Sequence, residues 1–84
     1  MKDIQKVAEI FETLVKLILE KPDEMTMAVV PDGTGSIFRV TVARGDVGVL
    51  IGKEGRIARS LRIILLAISM KTKQKISLDI IGPK

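Results

Sequence analysis

The sequence predicts an α+β fold, a three-stranded mixed sheet with helices packed on one face, in the order helix-strand-strand-helix-helix-strand. Three observations carry this reading. Apolar residues recur at helical spacing over residues 3–20 and 55–71. They alternate with polar residues over 36–44 and 76–81. Between these runs stand breaker clusters: Lys21-Pro22-Asp23, Pro31-Asp32-Gly33-Thr34-Gly35 and Gly52-Lys53-Glu54-Gly55.

In the first helix, Ile4, Val7, Ala8, Phe11, Leu14, Val15 and Ile18 fall on one face, with Glu9, Glu12, Lys16 and Glu20 opposite. Ile10 and Leu17 widen the apolar arc to about 200°, more than a simple surface helix needs. Asp3 favours the helix start, and Pro22 ends the helix because it pushes the preceding residue out of the α region. Residues 24–30 read as a strand. The Pro31–Gly35 cluster makes a hairpin with the strand over 36–44, where Phe38, Val40 and Val42 face one way and Ile37, Arg39 and Thr41 the other. Residues 46–51 open a short helix, with Asp46 near its positive end. After the glycine loop, Ile57, Leu61, Ile64, Leu65 and Ile68 form the core stripe of the long helix. Arg56, Arg59 and Arg62 lie beside it, and Ile63, Leu66 and Met70 follow further along the axis. That second half is apolar nearly all round, more than two layers can bury. Ile76, Leu78 and Ile80 mark the final strand. It runs parallel to the second strand, because the two helices between them allow a right-handed crossover.

At 84 residues, with 46% hydrophobic residues and a mean hydropathy of +0.31, the chain is expected to form one domain, 1–84, with a sizeable core. It has neither Cys nor His, which excludes disulfides, the usual zinc sites and the commonest general base. No metal or other cofactor is expected, and no catalytic residue stands out. No apolar run reaches membrane-spanning length, and charged residues interrupt any signal-like N-terminal segment. The chain therefore reads as cytoplasmic. Its net charge of +4 is divided unevenly: residues 1–44 carry six Lys/Arg against seven Asp/Glu, and residues 45–84 carry eight against three. The positive half holds the glycine loop, so a polyanion is the expected partner, nucleic acid first.

The loop Ile51-Gly52-Lys53-Glu54-Gly55, followed by Arg56-Ile57-Ala58-Arg59-Ser60-Leu61-Arg62 and set in this order of elements, resembles the Gly-x-x-Gly loop of a type II KH domain. The Lys21-Pro22-Asp23-Glu24 break and the Val42–Gly48 lead-in are similar to the small single-KH proteins of the KhpA type. The resemblance covers essentially the whole chain. It implies a non-enzymatic protein that grips about four nucleotides of single-stranded RNA. Gly52 and Gly55 would admit the backbone, Lys53, Arg56 and Arg59 would contact phosphate, and Gly48, Ile51 and Ile57 would line the groove beside Val47. Glu54 puts a negative charge next to that phosphate path, and Lys53 is the neighbour expected to offset it. The resemblance further implies an RNA chaperone or post-transcriptional regulator linked to bacterial cell elongation or division. It also implies self-association or pairing with a larger KhpB-type protein, for which Ile63, Leu66 and Met70 are the candidate dimer interface.

Competing readings are narrower. Gly48 to Lys53 falls short of a Walker A loop: three residues separate Gly48 from Gly52, and Glu54 stands where Ser or Thr is needed. Asp32-Gly33-Thr34-Gly35 lies between two strands, where a hairpin turn is expected rather than a phosphate cradle. From another functional class, the competing hypothesis is a protein–protein adaptor with a degenerate groove and Glu54 as its sign.

Overall fold

The alternation over the second strand buries Phe38, Val40 and Val42 at 0–1% exposure, and the fold is assembled over that row. In the computed structural model, which describes residues 4–83, the elements are α1 (Ile4–Lys16), β1 (Thr26–Asp32), β2 (Gly35–Thr41), α2 (Arg44–Ile51), α3 (Arg56–Thr72) and β3 (Ile76–Ile81). Short 3-10 turns over Pro22–Glu24 and Lys53–Gly55 precede β1 and α3. The strands lie in the order β1-β2-β3. β1 and β2 are antiparallel from Thr26↔Thr41 to Asp32↔Gly35, and β2 and β3 are parallel from Ser36↔Ile76 to Thr41↔Ile81. The expected mixed sheet is present, with the helices on one face.

The core joins Ala8, Phe11 and Val15 of α1, Leu50 of α2, and Leu61 and Leu65 of α3 to Phe38, Val40, Ile76 and Leu78 of the sheet. The Phe11 and Phe38 rings meet at 5.7 Å in a tilted arrangement, a favoured aromatic geometry. On the open face of the sheet, Arg39 Nε donates to Asp79 Oδ2 at 3.3 Å.

Several boundaries depart from the sequence reading. β2 ends at Thr41 rather than at residue 44, with Val42 buried just past it, because Arg44 already begins α2, two residues earlier than expected. α1 stops at Lys16 rather than Glu20. Leu17 and Ile18 donate three residues back, to the carbonyls of Leu14 and Val15 (3.2 and 2.9 Å), while the N–H groups of Glu20 and Lys21 are taken by the Asp46 carboxylate. With its donors committed elsewhere, the helix cannot extend. β1 starts later than expected and runs through Pro31 to Asp32, leaving Gly33-Thr34 as the whole hairpin link. An edge strand tolerates a residue without an N–H. Ile64 is 40% exposed rather than a full member of the core stripe, and Ile10 and Leu17, which widened the α1 arc, stay in solvent. The expected role of Asp3 lies outside the described residues. Among the described residues, no helix is long and apolar enough to cross a membrane.

Candidate nucleic-acid interface

The glycine loop is a break in what would otherwise be one helix. The Gly52 N–H still donates to Gly48 O (2.9 Å), closing α2, but the Gly52 backbone then turns to φ +74°, ψ 177°. That region is essentially restricted to glycine. Lys53–Gly55 forms one 3-10 turn, with Glu54 left-handed at φ +56° and Gly55 left-handed at φ +74° immediately before α3. No side chain caps the start of α3. The Arg56 N–H donates to Lys53 O, and the 17-residue helix otherwise begins with its first-turn donors and positive dipole end at the loop, an arrangement suited to an anion.

From the loop a groove runs between α3 and β3. Its first lobe, about 560 Å³, is lined by Ile51, Gly55, Ala58, Arg59 and Arg62 on the helical side and by Asp79 and Ile80 on the strand. A second lobe, about 320 Å³, continues past Arg62 between Leu65, Leu66 and Ser69 of α3 and Lys75 to Leu78. The Ser69 hydroxyl ties the far end together, donating to Leu65 O (2.8 Å) and accepting from the N–H of Ile76 (3.0 Å).

The strand wall is a free sheet edge. Ser36 N–H donates to Lys75 O (2.8 Å) and Val42 N–H to Ile81 O (3.1 Å). These two bonds fix the parity of the parallel ladder: the main-chain groups of Ser77 and Asp79 turn to β2, and those of Leu78 and Ile80 turn outward. The Ile76 donor, which reaches Ser69 on α3, has the same parity. Alternation carries the Asp79 carboxylate to the open face, where it meets Arg39, so what Asp79 gives the groove is chiefly strand backbone.

Of the residues singled out in the sequence, Ile51, Gly55 and Arg59 come together in the wall of the first lobe. Lys53, Glu54 and Arg56 are exposed on the loop at its mouth, and Gly48 is exposed on α2. Ile57 is half-buried: it packs on the core, and its side chain is the nearest neighbour to the face of Gly52. Val47 also packs on the core. The partner of Glu54 is not Lys53 but Arg56, whose Nη2 donates to Glu54 Oε1 at 2.9 Å. The left-handed turn at Glu54 brings two residues of nearby number onto the same side. Sequence reasoning missed Ala58 and the edge of β3 as groove walls. Ala58 carried a faint signal, a small residue one turn before the Leu61–Leu65 stripe. The edge carried none, since it depends on which strand closes the sheet. The candidate interface residues are exposed along one stripe of α3, Ile63 at 59%, Leu66 at 58% and Met70 at 73%. Leu66 belongs both to this stripe and to the second lobe. Among the described residues, no group of acidic side chains is arranged to hold a metal ion.

A sequence model of the KH domain of KhpA/KhpB matches residues 8–80. The chain is similar to RNA-binding protein KhpA of Borreliella burgdorferi, 36% identical over 81 residues that span 96% of this chain and 99% of that one. It is similar also to RNA-binding protein KhpA of Chlamydia trachomatis, 36% identical over 72 residues, 86% of this chain and 92% of the other. Among solved structures it resembles Aquifex aeolicus Era bound to GDP and aluminium fluoride, with a TM-score of 0.57 at 12% identity. That match covers 98% of this chain but 32% of Era, and it speaks to the fold alone.

Proposed function

The chain belongs to the KhpA/KhpB KH-domain family, and from that premise we propose that it is a non-enzymatic protein that grips about four nucleotides of single-stranded RNA through the Gly52–Gly55 loop. The observation that carries this reading is the uncapped start of α3, held open by two positive-φ glycines at the mouth of a basic and apolar groove. The RNA backbone passes over Gly52, Lys53 and Gly55 toward Arg56 and Arg59. Phosphate contacts of this kind position the strand without reading its sequence. The bases lie along Ile51 and Ala58, where the outward N–H and C=O groups of Leu78 and Ile80 offer donor and acceptor pairs to base edges. The described residues include no Trp or Tyr, and both Phe are core residues, so stacking contributes little. Binding is therefore expected to be weak and electrostatic.

The test is a salt titration of short single-stranded RNA binding. For the native chain, log K is expected to fall linearly with log salt. Lys53→Asp is expected to weaken binding on the order of tenfold or more at low salt, because it removes one phosphate contact and adds a repulsive charge. Undetectable binding by a well-folded native chain would overturn the reading and leave the adaptor hypothesis standing.

A cytoplasmic role as an RNA chaperone or post-transcriptional regulator, linked to cell elongation or division, extends the same reading. A single module with a small groove gains grip by pairing, and the exposed Ile63–Leu66–Met70 stripe supports self-association or a complex with a KhpB-type protein. Leu66→Glu is expected to convert a sedimenting dimer to a monomer. A native chain already monomeric at high micromolar concentration would refute the dimer.

A further inference from the structure

The loop carries a charge arrangement that RNA binding alone does not call for. Arg56 stands at the first position of α3, at the uncapped helix start. It is already engaged: Nη2 donates to Glu54 Oε1 at 2.9 Å, with both side chains about 70% exposed. Glu54 reaches this pairing from a left-handed backbone, φ +56°, ψ +26°, a conformation that disfavours a residue with a Cβ. The carboxylate is held against the guanidinium of the first residue of α3.

Resting on the RNA-binding reading, we propose that Glu54 is an internal competitor for phosphate: its carboxylate holds the Nη2 arm of the Arg56 guanidinium in the free protein, and an RNA phosphate binds by taking its place. A phosphodiester presents the same kind of acceptor oxygens to a guanidinium as a carboxylate does, so the exchange conserves the one hydrogen bond that Glu54 gives up. What changes is the charge left behind. Displaced from Arg56, Glu54 swings into water, where its exposure makes the release cheap. The pair thus lowers affinity for a lone phosphate and favours a strand that engages the rest of the groove at the same time. Glu54 acts as a specificity-determining residue of the loop.

Glu54→Gln is the probe, since it keeps the size and backbone demands of the residue and removes only the charge. Binding of a short mixed-sequence single-stranded RNA is measured at low salt for the native chain, E54Q, R56A and the double variant, with Lys53→Asp as the binding-deficient reference. The expected result is about a two- to fivefold gain for E54Q, the range that an exposed ion pair supplies, and a gain that vanishes when Arg56 is absent. An equal gain with and without Arg56 would overturn the proposal, since Glu54 would then act as a bare repulsive charge. A loss on E54Q would also overturn it, making Glu54 a residue that orients Arg56 for phosphate. No binding by the native chain or any variant would instead remove the RNA-binding reading on which the proposal stands.

Discussion

Asp46→Ala is expected to lower the unfolding free energy by about 3 kcal/mol, roughly the sum of two charge-assisted hydrogen bonds in a protected site. Asp46 is 1% exposed, and its two carboxylate oxygens accept from the main-chain N–H groups of Glu20 (3.0 Å) and Lys21 (2.9 Å). The carboxylate also sits in the first turn of α2, where the helix dipole favours it. Alanine removes both acceptors and leaves two donors without partners at the corner between α1 and the Pro22–Glu24 turn. Asp46→Asn keeps one acceptor oxygen and sets an amide N–H against the other donor, so it is expected to cost about half as much. Urea unfolding of the three proteins checks this. The midpoint should fall in the order native, Asn, Ala while the slope stays constant, as it does when the change is in stability rather than in the surface exposed. A domain of this size has only about 5–10 kcal/mol of stability, so the alanine variant should be partly unfolded at modest urea.

The Asp46 clamp marks the limit of what the sequence discloses. The order of elements is legible because each rests on a local rule: alternation at Phe38-Val40-Val42, helical spacing at Phe11-Val15 and Leu61-Leu65, and breakers at Pro22 and Gly52. The sequence also shows Asp46 near a helix start. It cannot show that the carboxylate reaches 25 and 26 residues back to end α1 early, because that bond exists only after α2 has docked beside α1. The candidate site divides the same way. The loop and its arginines are contiguous and carry their own signature, so they can be read directly. Glu54 pairs with Arg56 instead of Lys53 because the chain reverses hand at Glu54, and no local pattern encodes that. The strand wall of the groove depends on β3 lying at the sheet edge with the main-chain groups of Leu78 and Ile80 turned outward. Edge position is a property of the assembled sheet.

The two loop glycines are expected to fail in different ways when substituted, and Gly52 should fail hardest. At φ +74°, ψ 177°, an alanine is strained by about 1–3 kcal/mol wherever it is placed. Here its Cβ would also lie 2.7 Å from Ile57 Cγ1 and 2.9 Å from Ile57 Cβ. Ile57 is packed against the core, so the loop and α3 must separate to make room. Gly52→Ala is therefore expected to lower the melting temperature by about 10–20 °C, given that roughly 1 kcal/mol corresponds to 4–8 °C in a domain this small. Gly55 also has φ +74°, but its ψ of 15° is ordinary left-handed helix, and a Cβ there meets nothing within 4 Å. Gly55→Ala should cost only about 1–2 kcal/mol. On the proposed RNA path, the space beside Gly55 is where a phosphodiester approaches the start of α3, so a methyl group there is expected to obstruct the ligand rather than the protein. Thermal unfolding and RNA binding measured together on both variants separate these effects. Gly52→Ala should lose stability first and binding as a consequence. Gly55→Ala should keep most of its melting temperature and lose binding by about tenfold, about 1.4 kcal/mol. If Gly55→Ala bound RNA as tightly as the native chain, the backbone would have to cross the loop on the Lys53 side instead.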